Sequence, residues 1–304
     1  MTVLNVGGGG FMGSRLTARL AAEGEDVVAF DLDPPEDSGT VTGVRGDVTA
    51  YDDVVEAIET YDPDTVVTLA YVLGAESDAA PERAVRVNCV GMDNVFRAAS
   101  AAGVDRVVYT SSIGVYGHPD SHGDGPIAED ADSVAAYREY PLLFYSATKQ
   151  LNEYQARLYD DRGETEFVAV RPSIVFGPGR EGGLTEWASA IVANPLAGES
   201  VHLPFRPEQR LGLIYREDAV ALLEALTTAP NVEYDAYNTG SITVTARELA
   251  EVVTDAFGGS VTFDRDADTL PLVAGVSHDR AAAEFGYAVT GLETAIADHA
   301  ARLR

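Results

Sequence analysis

The 304-residue chain is long enough for one large α/β domain with a smaller appendage, and 46% hydrophobic residues can supply a buried core. A formal charge of −28, spread along the chain rather than gathered in a tail, argues against nucleic acid or anionic membrane as partners. The one cysteine, Cys89, rules out an internal disulfide and a thiolate metal cluster, and the apolar run Val66–Ala75 is about half the length of a membrane span.

Val3–Val6 reads as the first strand, entered without a basic segment or a cleavage site, as expected of a soluble cytoplasmic protein. Further strands are expected at Val27–Phe30, Thr65–Leu69, Arg106–Thr110 and Phe167–Arg171. Helical patterns lie between them near Gly13–Glu23, Asp52–Thr60, Pro81–Ala102 and Phe144–Arg162. Strand and helix alternating at this spacing predict an α/β fold, a doubly wound parallel Rossmann sheet with right-handed crossovers. After Arg171 the alternation loosens. Pro172–Glu208 is rich in Gly and Pro, Leu211–Tyr215 reads as a strand, Asp218–Thr227 as a helix, and Tyr237–Gly240 as a return to the sheet. The expected division is a dinucleotide domain over 1–171, rejoined by 209–240, and a smaller C-terminal substrate lobe from 172–208 and 241–304.

The first strand runs into glycines at positions 7, 10 and 13, with Phe11 and Met12 between the last two, and a helical segment follows. Gly7, Gly10 and Gly13 let the backbone turn sharply and approach a pyrophosphate, while the helix N-terminus offers free N–H groups and positive potential. Asp31 ends the next strand, eighteen residues beyond Gly13. A carboxylate there accepts hydrogen bonds from ribose hydroxyls and repels a 2′-phosphate, so NAD is expected over NADP. Spacing places Asp47, in Gly46-Asp-Val48, near the adenine amino group.

Twenty of the 21 basic residues are Arg; the sole lysine is Lys149, in Tyr145-Ser-Ala-Thr-Lys149. Four residues apart on a helix, phenol and ammonium share one face. A phenol near pKa 10 is a poor base at neutral pH, but a neighbouring cation favours the phenolate, and Tyr145 can then take a proton from a substrate hydroxyl. Dispersed acid and scarce lysine also suit a salt-rich cytoplasm, so a halophilic source is expected. His118 and His122 are four apart, but Gly117, Pro119 and Gly123 interrupt any helix there, and no metal site is expected.

In order, the Gly7/Gly10/Gly13 loop, Asp31, Asp47-Val48, Leu69-Ala70, Asn88 and Ser111-Ser112-Ile-Gly-Val-Tyr-Gly117 lead to Tyr145/Lys149 and Arg171-Pro-Ser-Ile-Val-Phe-Gly-Pro-Gly179. This order resembles the extended short-chain dehydrogenase/reductase family, the group containing NAD-dependent epimerases and dehydratases. The resemblance covers about 1–240 clearly and the tail loosely. It implies that Ser112 orients the substrate oxygen beside Tyr145 and Lys149. It implies further that Val48, Leu69, Ala70 and Asn88 line the cofactor and that Pro172 and Ser173 approach the nicotinamide. Tyr116 is either a pocket residue or a packed aromatic. A homodimer through the helices at 81–102 and 144–162 is also implied.

Nucleotide-sugar enzymes of this group need cations for the diphosphate, for which Arg180, Arg206, Arg210, Arg216, Arg247, Arg265 and Arg280 are available. Leu211 stands where the family's usual Arg precedes the late strand, and the tail is short. The preferred reading is an NAD-dependent dehydrogenase for a small polar hydroxylated substrate, a sugar, sugar acid or related alcohol. The alternative is a nucleotide-sugar 4-epimerase with permanently bound NAD; a dehydratase or a non-catalytic NAD-sensing protein ranks below both.

Overall fold

The computed structural model describes residues 1–123, 125–133, 143–180 and 187–304; residues 181–186 of the expected substrate lobe lie outside them. The strands are β1 (Thr2–Val6), β2 (Asp26–Asp31), β3 (Val41–Arg45), β4 (Thr65–Thr68), β5 (Arg106–Thr110), β6 (Glu166–Arg171), β7 (Ile174–Phe176), β8 (Val201–Leu203), β9 (Arg210–Tyr215), β10 (Ala236–Asn238), β11 (Ile242–Thr245) and β12 (Val261–Phe263). The helices are α1 (Gly13–Ala22), α2 (Tyr51–Tyr61), α3 (Gly74–Ala79), α4 (Pro81–Ala84), α5 (Met92–Ala102), α6 (Leu143–Asp160), α7 (Trp187–Leu196), α8 (Arg216–Thr228), α9 (Ala246–Phe257), α10 (Asp279–Phe285) and α11 (Leu292–Arg302).

Seven strands form one parallel sheet in the order β10-β6-β5-β4-β1-β2-β3. Its inner strands read as nearly unbroken apolar runs because both faces are covered. Leu4, Val66 and Val107 pack with α2, α5 and α6 on one face, while Val3, Val67 and Val108 meet α1, α8 and α10 on the other. The chain goes from β1 to β2 on one side and resumes with β4 on the other. Between β1 and β4 lies the switch point, where an open α/β sheet leaves a crevice at the carboxyl ends of its strands.

A second core gathers α7, α9 and α11 around the three-stranded sheet β11-β9-β7, with β8 and β12 as a parallel pair beside it. Three features depart from the sequence reading. Leu211–Tyr215 is a strand, but it pairs with β7 and β11 in the small sheet, so only α8 and β10 of 209–240 rejoin the large one. The edge strand β3 escaped the pattern because it is half-exposed. The helix expected at Pro81–Ala102 is interrupted by a π-helical segment, Val85–Gly91, of the kind often found at functional sites.

Candidate active site

The glycine loop joins β1 to α1 at the switch point. Gly7 has φ +87°, and a Cβ there would lie 2.7 Å from the Ala70 nitrogen. At Gly13 a Cβ would lie 1.9 Å from the Gly7 carbonyl oxygen, so α1 can start against the turn only as glycine. Asn5 fixes this approach from β1, its Nδ2 donating to the Gly13 carbonyl and to Thr17 Oγ1. No side chain caps α1, so its N-terminus faces the crevice with its own N–H groups. Asp31, at the end of β2, accepts from the Gly9 N–H at 3.0 Å and from the Asp33 N–H at 3.2 Å. Its carboxylate is thereby held over the loop. Glycines without Cβ, a free helix terminus and a fixed acid fit a dinucleotide, and Asp47 and Val48 continue the same wall.

β5 delivers the other half of the site. Ser112 follows its end and accepts from the Gly114 N–H at 3.0 Å, opening a single 3-10 turn at Ile113–Tyr116. The paired Ser111 points the other way, donating to Glu153 at 2.6 Å. Tyr145 and Lys149 lie on the first turns of α6. Lys149 is 1% exposed, donates to the Thr110 carbonyl at 2.6 Å, and sits 3.2 Å from the centre of the Tyr71 ring. Burial holds its pKa well below the usual lysine range, with the charge of Glu153 acting in the opposite sense. The Tyr71 ring meets that of Tyr145 edge-on at 5.7 Å, and its hydroxyl donates to Thr148 and Asn152 on α6. Burial pushes the Tyr71 phenol well above its usual pKa, which keeps it protonated.

Behind these groups, Arg171 grips Glu153 through two bonds of 2.8 Å and also donates to the Tyr116 hydroxyl and the Glu129 carbonyl. Desolvation disfavours this guanidinium, yet the hydrogen bonds and charge of Glu153 hold its pKa above the ordinary value. Tyr116 is wholly buried, its hydroxyl donating to Asn238, so it is a packed aromatic rather than a pocket residue.

One cavity of about 610 Å³ runs from Asp31 past the glycine loop to Ser112, Tyr145 and Lys149, then on to the C-terminal lobe. It is lined by Gly7, Gly10, Phe11, Met12, Gly13, Asp31, Asp47, Val48, Leu69, Ala70, Pro172 and Ser173, together with the three expected catalytic residues. Asn88 is set back from it. The amide of Asn88 accepts from the Val72 N–H and donates to the Val72 carbonyl, so it shapes the wall without facing the cavity. The sequence reading missed Tyr71, although it directly follows Leu69-Ala70, and the far wall of Trp187, Phe205, Leu270, Leu272 and Val273.

Of the seven arginines available for a diphosphate, only Arg180 lines the cavity. Arg206 donates to Ala267, Arg216 to Pro178 and Glu217, Arg247 to Glu208, and Arg280 to Ala236; Arg210 and Arg265 are exposed elsewhere. Among the described residues no group of three His, Cys, Asp or Glu is placed to hold a metal, and no helix is long and apolar enough to cross a membrane.

Residues 3–240 match the NAD dependent epimerase/dehydratase family. D-erythronate dehydrogenase of Cupriavidus necator is 28% identical over 88% of this chain and 86% of that protein. The chain spans only about half the length of several other curated relatives, among them 2-alkyl-3-oxoalkanoate reductase of Stenotrophomonas maltophilia at 31% identity. Among solved structures, a GalE-like L-threonine dehydrogenase from Cupriavidus necator superposes with a TM-score of 0.86 at 23% identity, covering both chains fully. MoeE5 in complex with UDP-glucose and NAD gives 0.85 at 26%, covering 100% of this chain and 99% of the other. The chain therefore belongs to the NAD-dependent epimerase/dehydratase family and is an NAD-dependent oxidoreductase of the Rossmann type.

Proposed function

We propose that the protein is a dehydrogenase that oxidises a secondary alcohol on a small hydroxylated molecule, with Tyr145, Lys149 and Ser112 as its catalytic residues. Bound NAD supplies the acceptor for the hydride that leaves the carbinol carbon. The glycine loop and the α1 N-terminus would hold its pyrophosphate, Asp31 its adenine ribose, and Pro172 and Ser173 its nicotinamide end. Ser112 donates to the substrate oxygen and orients it. Tyr145 takes the hydroxyl proton as the carbonyl forms, and the Lys149 ammonium favours the phenolate that does so. The observation that carries this reading is the meeting of Tyr145 and the buried Lys149 with the glycine-loop cavity.

A 4-epimerase is the second reading, favoured by Arg180 in the cavity and by the UDP-glucose complex of a structural neighbour. Against it, six of the seven arginines singled out in the sequence do not line the cavity, and Arg83, which does, is paired with Glu76. Incubation with NAD⁺ and panels of alcohols and UDP-sugars separates the two. Net NADH supports the dehydrogenase, whereas isomer without net NADH supports the epimerase. Tyr145→Phe should lower kcat by about a thousandfold or more while NAD affinity persists, the loss general-base removal gives; undiminished turnover removes Tyr145 from the chemistry.

We also propose a homodimer. On α6, Leu151, Tyr154 and Leu158 form one exposed apolar stripe, and Val85 and Val90 are exposed on the adjoining π-helical segment. Stripes of this kind mark interfaces. Sedimentation should give twice the mass of one chain at micromolar concentration; a monomer at that concentration rejects the dimer.

A further inference from the structure

Beyond Ser112 and Tyr145 the cavity enters a chamber whose chemistry differs from that of the dinucleotide end. Its walls are Ile174, Trp187, Phe205, Leu270, Leu272 and Val273. Trp187 and Phe205 pack edge-to-face at 5.1 Å within the buried core of the C-terminal lobe, so this wall is preformed and stiff. Ile174, Leu270 and Leu272 are only half-buried and border the chamber with apolar surface.

The polar side chains behind this wall are occupied with backbone. Gln209 donates to the Arg210 and Leu270 carbonyls and accepts from the Leu270 N–H, which pins the loop around Leu270 in place. Arg206 spends two N–H groups on the Ala267 carbonyl. Among the described residues, the side chains placed to meet the reacting oxygen are Ser112 and Tyr145, while Arg180, which also lines the cavity, donates to the Val175 carbonyl.

We infer that the substrate carries its reacting hydroxyl on an apolar body, alkyl or aryl, rather than on a polyhydroxylated chain. This rests on the dehydrogenase reading and replaces the sugar-like substrate expected from the sequence. A sugar chain laid against this wall would set hydroxyls on leucine and tryptophan side chains, which offer them no acceptor, and each group left unpaired there lowers affinity roughly tenfold or more. An alkyl or aryl group gains from the same contact. The reaction balances as a secondary alcohol plus NAD⁺ giving a ketone, NADH and one proton. The C–H electron pair leaves with the hydride, and the O–H proton goes to Tyr145.

The test offers the purified protein NAD⁺ with 2- and 3-hydroxyhexanoate, 2-hexanol and 1-phenylethanol, alongside gluconate and sorbitol as polyhydroxylated counterparts and UDP-glucose. At least one apolar-bodied alcohol should form NADH with kcat/KM tenfold or more above every polyhydroxylated one. Equal or faster turnover of gluconate or sorbitol, or no turnover of any apolar-bodied alcohol, overturns the inference; with NADH still formed, the dehydrogenase reading stands. No NADH from any alcohol, with UDP-glucose isomerised, overturns both. Leu272→Asn provides a second readout, since the half-buried position tolerates an amide. It should lower kcat/KM for the apolar alcohol about tenfold with NAD affinity unchanged; an unaltered preference rejects this wall as the substrate's surface.

Discussion

Lys149 keeps a cation in the interior without a carboxylate in contact among the described residues. A carbonyl from Thr110 and the face of Tyr71 stand in for one. The charged and titratable groups around it are Tyr71 from the loop after β4, and Tyr145 and Glu153 from its own helix. A desolvated cation–π contact is worth about 2 kcal/mol, or a little over one pKa unit. Burial has already lowered the Lys149 pKa, so the ammonium exists only below that lowered value. Removing the ring lowers it further, and a rate that needs the ammonium then fails at a lower pH. Tyr71→Leu should move the alkaline limb of kcat/KM down by about one pH unit, while Tyr71→Phe, which keeps the face, should leave it in place. The same limb in both variants rejects the clamp. The sequence made Tyr145 and Lys149 legible because their pairing is local, four residues on one helix. Tyr71 stayed hidden because it arrives from another element, 78 positions before Lys149, and no local period encodes that meeting. Asn88 was misplaced for a related reason: the π-helical segment around it changes the facing that an unbroken α-helix implies.

The large sheet was readable element by element, since strands covered on both faces are buried throughout and carry short β-branched apolar cores, as in Thr65–Thr68 and Arg106–Thr110. The partner of β9 was not readable. Its apolar run is the same whether it extends the large sheet or pairs with β7 and β11, and the choice is made by the packing of the C-terminal lobe. That lobe is closed by α11, which carries an acid-sensitive contact. His299 is 1% exposed beside Phe176, and its Nδ1 has no partner among the described residues. Burial and the nearby Arg216 charge lower its pKa to about 4, with Asp298 opposing. Between the unfolded value of 6.5 and about 4, the unfolded chain binds a proton that the folded chain refuses. This contribution to stability is therefore complete above pH 6.5 and is lost as the pH falls towards 4. The loss between pH 7 and 4.5 should be roughly 2–3 kcal/mol. His299→Leu should be less acid-sensitive by that amount in denaturant titrations at the two pH values. An equal loss in both proteins shows that the imidazole is not responsible.

At the scale of the whole molecule, a charge of −28 sets two salt effects against each other. Arg15–Glu217 and Arg19–Glu224 tie α1 to α8, and screening weakens such pairs. Partly exposed pairs are worth about 1 kcal/mol or less each, so their loss is small and local. The repulsion among unpaired acids acts over the entire surface, opposes compaction and is relieved by the same screening. The second effect should win. Tm should climb with KCl until about 1 M, where the Debye length has shrunk to about 3 Å and little repulsion is left to screen. A further rise beyond that point would indicate stabilisation that screening does not supply, as expected of a chain adapted to a salt-rich cytoplasm. A Tm that stays flat or falls between 0.05 and 1 M KCl would mean that the ion pairs outweigh the surplus of acid, and that the halophilic reading of this composition is wrong.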